Sequence, residues 1–192
     1  MSVERPTSQT VIWDPLVRIF HWSLVIAFAV SFGLGKFGPS DMSLHFIAGY
    51  VMAGLLVFRW VWGLIGPRTA RFTSFVRGPS AILKYARHLG DRRPSGTVGH
   101  NPLGGAFVIA LLVLLSVQVV SGLLADPEDY LNVGPLAGYV STDISRKALT
   151  LHHIVMPMLL VLVVVHISAI VFYKIWKHED LVRPMITGRR KD

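Results

Sequence analysis

Four long apolar segments constrain this chain more than any other feature of its sequence. The first runs from Ile19 to Gly35 without a charged residue. Segments of about 20 apolar residues have the length of an α-helix that crosses the hydrocarbon core of a bilayer. The sequence therefore predicts an all-α membrane protein, a four-transmembrane-helix bundle forming one domain over residues 1–192. The spans are expected near residues 16–35, 42–65, 101–125 and 148–174.

Composition supports a membrane protein and narrows the chemistry. Of the 192 residues, 52% are hydrophobic and 16% are charged, which is too apolar for an ordinary soluble domain. The chain has no cysteine, which excludes disulfides, cysteine-bound zinc or iron–sulfur clusters and covalent c-type haem attachment. A metal or cofactor must then be held mainly by histidine.

Basic residues predict the orientation. The net charge of +8 comes from residues placed between the apolar segments, so membrane topology explains it better than nucleic-acid binding does. The 19 Lys and Arg lie in or beside the N-terminal tail, the loop 66–100 and the C-terminal tail, except Lys36, Arg146 and Lys147. By the positive-inside rule both termini and the long loop are cytoplasmic. Asp14 and Pro15 stand where a signal peptide has its basic region, so the first span is expected to be retained.

Four histidines are predicted at two matched depths. His152 and His166 are 14 residues apart, which places them within roughly 40° on one helix face and about 21 Å apart along the axis. His21 opens the first span on the cytoplasmic side, and His45 opens the second span on the external side. Matching by depth pairs His21 with His166 and His45 with His152. Each pair offers two axial imidazoles to one haem iron and leaves no open position on it.

Each histidine taken alone has a simpler explanation, because a histidine near the end of a span often lies at the membrane interface or forms an ordinary hydrogen bond. Four of them at two matched depths favour ligands, because histidine inside a membrane usually marks a functional site. His153 lies about 100° around the helix from His152. It is interpreted as a neighbour of the site or as solvent-facing.

Two arginines are candidates for binding haem propionates. Arg18 lies three residues before His21 on the same face. Arg59 lies 14 residues after His45, near the same face but at cytoplasmic depth. A guanidinium suits carboxylate recognition, whereas the alternative for both is snorkelling at the interface. Gly49 and Gly122 allow close approach of a macrocycle, or simply of a neighbouring helix.

Several motifs together resemble the bacterial cytochrome b561 and nickel–iron hydrogenase b-type cytochrome superfamily, over nearly the whole chain. They are Arg18-Ile19-Phe20-His21-Trp22; His45 followed by Gly49-Tyr50 and Arg59; Arg71-Phe72 to Phe75; Gly99-His100-Asn101-Pro102-Leu103-Gly104; Ser121-Gly122-Leu123; and His152-His153 with His166.

The resemblance implies a dihaem cytochrome b of the bacterial inner membrane. In that family two b haems are bound, and the resemblance carries the iron ligands onto His21, His45, His152 and His166. Such proteins pass electrons between membrane quinone and a redox partner, which is a periplasmic hydrogenase, another oxidoreductase or a soluble cytochrome c. Some members act alone on superoxide or quinone. No catalytic residue is predicted, and the chain is either an electron-transfer subunit or an oxidoreductase component.

Other interpretations remain open at the level of sequence. Histidines could relay protons or bind a divalent metal in a transporter without haem, or the chain could be a membrane anchor with structural haem. His100 could sit beside a quinone or could cap the third span. The acidic loop 126–145 could dock a basic partner or be merely solvated, and its carboxylates are Asp126, Glu128, Asp129 and Asp143.

Overall fold

Four helices in this computed structural model are long and apolar enough to cross a membrane, which confirms the predicted fold class. The structure describes residues 9–97 and 99–191. In chain order the described elements are β1 (Gln9–Val11), α1 (Pro15–Phe37), α2 (Ser43–Ile65), α3 (Phe72–Phe75), α4 (Pro79–Arg87), α5 (Pro102–Leu124), α6 (Thr142–Trp176), α7 (Val182–Thr187) and β2 (Arg189–Lys191), with a 3₁₀ turn at Ala137–Tyr139 before α6. The spanning helices are α1, α2, α5 and α6.

Proline and a side-chain cap define the start of α1 and of α5. Pro15 and Pro102 are the first helical residues, where a missing N–H costs nothing. The Asp14 carboxylate accepts hydrogen bonds from the backbone N–H groups of Leu16 and Val17, at 3.0 and 3.2 Å. The Asn101 side-chain oxygen accepts one from Gly104 N–H at 2.8 Å. Both caps satisfy N–H groups that a helix end leaves without partners.

Helix α6 is the longest element and begins at Thr142, before the apolar segment itself. Its first turns are polar, and they are stabilised by an ion pair between Lys147 Nζ and Asp143 Oδ2 at 2.6 Å, one helical turn apart. Ser145 in the same stretch is buried. The predicted span near residues 148–174 is therefore the apolar part of a longer helix.

The contacts divide the chain into two compact units. The first unit contains Met1–Ile19, Val61–Ala106 and His166–Asp192, and the second contains Phe20–Trp60 and Phe107–Val165. Each spanning helix contributes residues to both units. The single-domain organisation over residues 1–192 stays a prediction.

The second unit packs parts of all four spanning helices around apolar side chains. Its most buried residues include Met52 of α2, Leu112 of α5 and Leu159 of α6. Trp60 Nε1 donates a hydrogen bond to Ser116 Oγ at 3.1 Å, which ties α2 to α5. Polar groups at this depth need such partners because no water is available to them in the bilayer.

The first unit gathers the two tails and the basic loop. Strand β1 pairs antiparallel with β2, from Gln9 opposite Lys191 to Val11 opposite Arg189. This short ribbon was not predicted, since neither strand has a readable alternating pattern. A buried cluster of Ile12, Trp13, Val17 and Ala70, with Trp62 and Met185 against it, lies beside the ribbon. Residues 1–8 of the predicted cytoplasmic tail lie outside the described residues.

The basic loop is folded rather than loose. Helix α4 begins at Pro79, which suits the first position of a helix, and ends at Arg87. Tyr85 of α4 hydrogen-bonds through its hydroxyl to the Tyr173 hydroxyl at 2.8 Å, and Asn101 Nδ2 donates to the same oxygen at 2.9 Å. Lys177 Nζ donates to Asp91 O at 2.9 Å. The end of α6 therefore holds the loop at several points.

Candidate haem site

His45 of α2 and His152 of α6 lie close together in the second unit. Their ring centroids lie 6.2 Å apart, with an angle of 84° between the ring planes. Both residues are half-buried. The pair is therefore partly sheltered, and its rings lie within the range of an edge-to-face aromatic pair.

His45 is oriented by helix α1. Its Nδ1 donates a hydrogen bond to the backbone carbonyl of Ser31 at 2.8 Å, and the Ser31 hydroxyl lies 3.4 Å from the same nitrogen. The ring packs against Gly35, where an added Cβ would lie 3.0 Å from His45 Cε1. Both contacts come from one turn of α1.

His152 is oriented by helix α5 in the same manner. Its Nδ1 donates to the backbone carbonyl of Gln118 at 2.8 Å, with the buried Ser121 hydroxyl at 3.4 Å. The ring packs against Gly122, where an added Cβ would lie 2.8 Å from His152 Cε1. At that distance an alanine would force the ring to move.

The two histidine sites share one local design. In each, the accepting carbonyl is followed four residues later by a glycine, Ser31 by Gly35 and Gln118 by Gly122. A helical side chain covers the turn before its own Cα, so the residue at i+4 normally shields the carbonyl at i. Glycine leaves that carbonyl open to a second donor in addition to the helix N–H. An imidazole from another helix can then reach it.

These bonds determine which ring nitrogen is available to a metal. A carbonyl oxygen only accepts, so Nδ1 carries the proton in both histidines and Nε2 presents a lone pair. For His152 a second contact agrees, because the Gln118 side-chain amide donates to Nε2 at 3.1 Å. Metal-binding histidines usually donate their other N–H to a carbonyl or carboxylate, which orients the ring.

The donor set fits a haem iron. Two imidazoles on opposite sides of one metal, each bonded at about 2 Å, place their ring centres about 6 Å apart. The 6.2 Å separation of His45 and His152 agrees with that value. The Gln118 amide would have to leave Nε2, since the iron needs the same lone pair. Gly49, one turn after His45, has no atom within 4 Å of the position of an added Cβ, so this side of α2 is open.

The structure describes His21 and His166 in separate units. His21 is half-buried in α1, with its ring 5.1 Å from that of Trp22 in an edge-on arrangement. His166 is half-buried in α6. Their pairing as ligands of a second haem stays a prediction.

The two candidate arginines have different surroundings. Arg59 is only 3% exposed, so it does not snorkel towards the membrane surface. A cation at that level of burial requires polar partners inside the protein. Arg18 donates from NH1 to the Ile186 carbonyl at 2.6 Å, in the first unit. Their binding of propionates stays a prediction.

His153 and His100 lie outside the histidine pair. His153 is exposed, and its ring centroid is 6.3 Å from that of His152. The ring of His100 packs between Trp13 and Phe75, with both centroid distances 4.6 Å. The cap of α5 is the Asn101 side chain. The capping interpretation of His100 is therefore not needed to explain how that helix begins.

Two of the four carboxylates in the acidic loop are already paired. Arg146 Nε contacts Glu128 Oε1 at 2.7 Å, and Lys147 Nζ contacts Asp143 Oδ2 at 2.6 Å. The Asp129 carboxylate accepts hydrogen bonds from the backbone N–H and the side-chain amide of Asn132, and these bonds lower the pKa of the Asp129 carboxyl. The loop thus presents less free negative charge than its sequence suggests.

Sequence reasoning did not identify the groups that orient the histidines. Five residues contact His45 or His152: Ser31, Gly35, Gln118, Ser121 and Gly122. Of these, only Ser121 and Gly122 stood out in the sequence. The acceptors are main-chain carbonyls, which every residue has. A glycine four residues after a polar residue, facing a histidine of another span, is the signal that could have found them.

Comparison with known proteins shows the family of the chain. A family model described as prokaryotic cytochrome b561 matches residues 12–188. Three similar proteins are each named "Probable Ni/Fe-hydrogenase B-type cytochrome subunit". The Rhodobacter capsulatus protein is 25% identical, covering 98% of this chain and 84% of its own. The Cupriavidus necator protein is 26% identical, covering 94% of this chain and 86% of its own. The Rhizobium leguminosarum bv. viciae protein is 27% identical, covering 98% of this chain and 91% of its own. No solved structure matches the chain significantly.

Proposed function

The chain belongs to the prokaryotic cytochrome b561 family, and from that premise we propose that it transfers electrons through two b haems in the bacterial inner membrane. The electrons pass between the quinone pool and a redox partner protein. The observation that carries this proposal is the His45–His152 pair, 6.2 Å apart, with each Nδ1 bonded to a backbone carbonyl.

His45 and His152 hold the external haem in this proposal. A b haem, when bound, would supply an iron that takes up and releases single electrons, and His45 and His152 would hold it. The chain keeps Nε2 of each ring deprotonated and directed by anchoring Nδ1–H to Ser31 O and Gln118 O. Rings held in this way need little rearrangement between oxidation states, which favours electron transfer over ligand binding.

His21 and His166 hold the cytoplasmic haem. This part rests on the sequence, in which His166 follows His152 by 14 residues and His21 opens α1 on the cytoplasmic side. Arg18 and Arg59 bind the propionates. The burial of Arg59, at 3% exposed, supports that role, because a carboxylate is a suitable partner for a guanidinium removed from water.

The redox partner is a hydrogenase or a similar external oxidoreductase. This follows from the names of the relatives, which describe subunits of Ni/Fe-hydrogenases. A soluble cytochrome c is the other protein partner compatible with an external haem. Identifying what co-purifies with the chain from mild detergent, and measuring haem reoxidation by added quinone in membranes, tests both ends of the electron path.

The haem content of the purified protein tests the proposal directly. The reduced-minus-oxidised spectrum is expected to show b-type Soret and α bands, with two haems per chain. His45→Ala and His152→Ala should each remove the external haem, and His21→Ala and His166→Ala the cytoplasmic one. His153→Ala is the matched control, since it removes an adjacent, exposed imidazole and should retain both haems.

Three results would contradict the proposal or one of its parts. A correctly folded but colourless protein would instead favour a transporter whose histidines relay protons or bind a divalent metal. Loss of a haem in His153→Ala but not in His152→Ala would show that the ligand on α6 is misassigned. Stand-alone oxidation of superoxide or quinol, without any partner protein, would make the chain an oxidoreductase in its own right.

A further inference from the structure

A basic cavity lies in the first unit, apart from the histidine pair. Its volume is about 480 Å³, and its lining residues are Arg68, Arg71, Thr73, Ser74 and Arg77. We call it the arginine cavity. None of the lining residues is acidic. In the described ranges 9–97 and 99–191, none of its arginines forms an ion pair with a carboxylate. Three positive charges thus converge without a local counter-charge.

Main-chain carbonyls hold the arginine side chains in place. Arg71 Nε donates to Gly66 O at 2.6 Å, and Arg77 NH2 donates to Ser74 O at 2.8 Å. The Ser74 hydroxyl in turn donates to Arg71 O at 2.6 Å. Carbonyl oxygens orient a guanidinium without neutralising it. The remaining N–H groups of these arginines are therefore preorganised for an anion.

The arginine cavity lies at the end of a spanning helix. Gly66, which accepts the Arg71 bond, directly follows Ile65, the last residue of α2. Leu64 and Ile65 are 69% and 71% exposed, and Val76, which precedes Arg77 in the sequence, is 42% exposed. An exposed apolar surface that adjoins a cationic cavity matches the two parts of a phospholipid, whose acyl chains are apolar and whose headgroup carries the phosphate.

We propose that the arginine cavity binds the phosphate of an anionic phospholipid at the cytoplasmic membrane surface. Arginine is suited to phosphate because its planar guanidinium donates two parallel hydrogen bonds, and the Thr73 hydroxyl adds a neutral donor. Juxtamembrane basic residues attract anionic lipid in general. Here three of them surround one cavity, so one lipid binds at one place. Free phosphate has the same headgroup chemistry but gains nothing from Leu64, Ile65 and Val76.

Native mass spectrometry of the detergent-purified protein can measure this binding. The protein is titrated with dioleoyl phosphatidylglycerol, with dioleoyl phosphatidylcholine, and with inorganic phosphate as competitor. One phosphatidylglycerol per chain should remain bound in preference to phosphatidylcholine. The triple variant Arg68→Gln/Arg71→Gln/Arg77→Gln should weaken this binding about tenfold or more.

A second triple variant, Lys84→Gln/Arg87→Gln/Arg93→Gln, is the matched control. It removes the same charge from the same loop but leaves the cavity intact, so binding should stay within about twofold of the unmodified protein. Arg68→Glu provides a further test that spares folding, because Arg68 makes no hydrogen bond or ion pair with the described part of the chain. That single reversal should also weaken phosphatidylglycerol binding severalfold.

Three results would overturn the proposal. Equal retention of phosphatidylcholine would show that the negative headgroup is not recognised. An equal loss in the control triple variant would show diffuse attraction rather than a site. Displacement of the lipid by equimolar inorganic phosphate would assign the cavity to free phosphate. Unchanged haem spectra and helicity in all variants establish that the comparison is made between folded proteins.

Discussion

At the level of single residues, His45 and His152 depend on main-chain groups of neighbouring helices. The acceptors are Ser31 O and Gln118 O, each at 2.8 Å from the histidine Nδ1. Four residues after each acceptor, Gly35 and Gly122 matter because they are small enough to let the imidazole approach. Substitutions that change the polarity of the contacting side chains should therefore leave the imidazoles in place, whereas substitutions that enlarge Gly35 or Gly122 should displace them.

Gly122→Ala should disturb the external haem. The new Cβ would lie 2.8 Å from His152 Cε1, so the imidazole must shift and its bond to Gln118 O weakens. We expect loss of the external haem from the optical spectrum and a stability cost of about 1–3 kcal/mol from overpacking. Gly54→Ala is the control, since a Cβ there meets nothing within 4 Å. Equal haem content in the two variants would contradict this account.

Gln118→Leu should keep the external haem. The bond that orients His152 goes to the backbone carbonyl of residue 118, which the substitution leaves in place. The lost side-chain amide donates to Nε2, the nitrogen that the iron would occupy. We expect the unmodified haem-to-chain ratio by optical spectroscopy. A haem loss as large as that of His152→Ala would show that the amide itself is required.

At the level of elements, α6 connects its apolar, membrane-spanning part to the basic loop 66–100. Residues His152 and His166 lie along its apolar part, while Tyr173 and Lys177 at its end bind the loop through Tyr85 and Asp91. Glu179, just after α6, accepts hydrogen bonds from the backbone and side chain of Ser95, at 2.7 and 2.8 Å. One helix therefore carries two proposed haem ligands and also determines the position of the loop.

Tyr85→Phe should weaken this connection in a pH-dependent way. Burial, followed by the hydrogen bond with Tyr173, raises the pKa of the Tyr85 phenol above its ordinary value of 10.0. The folded protein then holds this proton more tightly than the unfolded chain does. The contribution of Tyr85 is complete below pH 10 and is lost as the pH rises above it.

Thermal unfolding in detergent measures both consequences of Tyr85→Phe. Near neutral pH, stability should fall by about 1 kcal/mol because Tyr173 loses a hydrogen bond. In alkaline solution the variant should lose less stability than the unmodified protein. Tyr139→Phe alters an exposed phenol and should change neither quantity. If Tyr85→Phe loses stability with rising pH as steeply as the unmodified protein does, the alkaline loss of stability does not come from Tyr85.

At the level of the whole molecule, the segments predicted to be cytoplasmic are those gathered in the first unit. The N-terminal strand pairs with the C-terminal strand, and the basic loop is bonded to the end of α6. Segments that pack together in this way must lie on the same side of a membrane. The orientation predicted from Lys and Arg places that side in the cytoplasm.

Cysteine labelling tests that orientation without a background signal, because the chain has no cysteine of its own. Tyr139→Cys lies in the loop predicted to be external, and Ser80→Cys lies at the start of α4. In intact spheroplasts a membrane-impermeant maleimide should label Tyr139→Cys only. Ser80→Cys should react after permeabilisation. Labelling of Ser80→Cys alone in intact spheroplasts would show that the orientation is the opposite of the predicted one, and the two predicted haem depths would then be exchanged.

The four spans and the candidate ligands could be predicted because their signals are carried by the side chains themselves. Apolar character sums over about 20 consecutive residues, and that sum alone decides whether a helix can enter the bilayer. Histidine is rare at membrane depth, so its positions are informative without any knowledge of packing. The β1–β2 ribbon could not be predicted, since three-residue strands become stable only by pairing across the whole length of the chain.

The sequence by itself thus determined the number of spans, the residue types able to hold a cofactor and their spacing along α6. Only the tertiary structure decided how His45 and His152 are oriented and that three arginines line one cavity. The physical reason is the nature of the partners. Ser31 O and Gln118 O are carbonyls like those of every other residue, and a carbonyl is selected by helix rotation and depth, which no local pattern specifies.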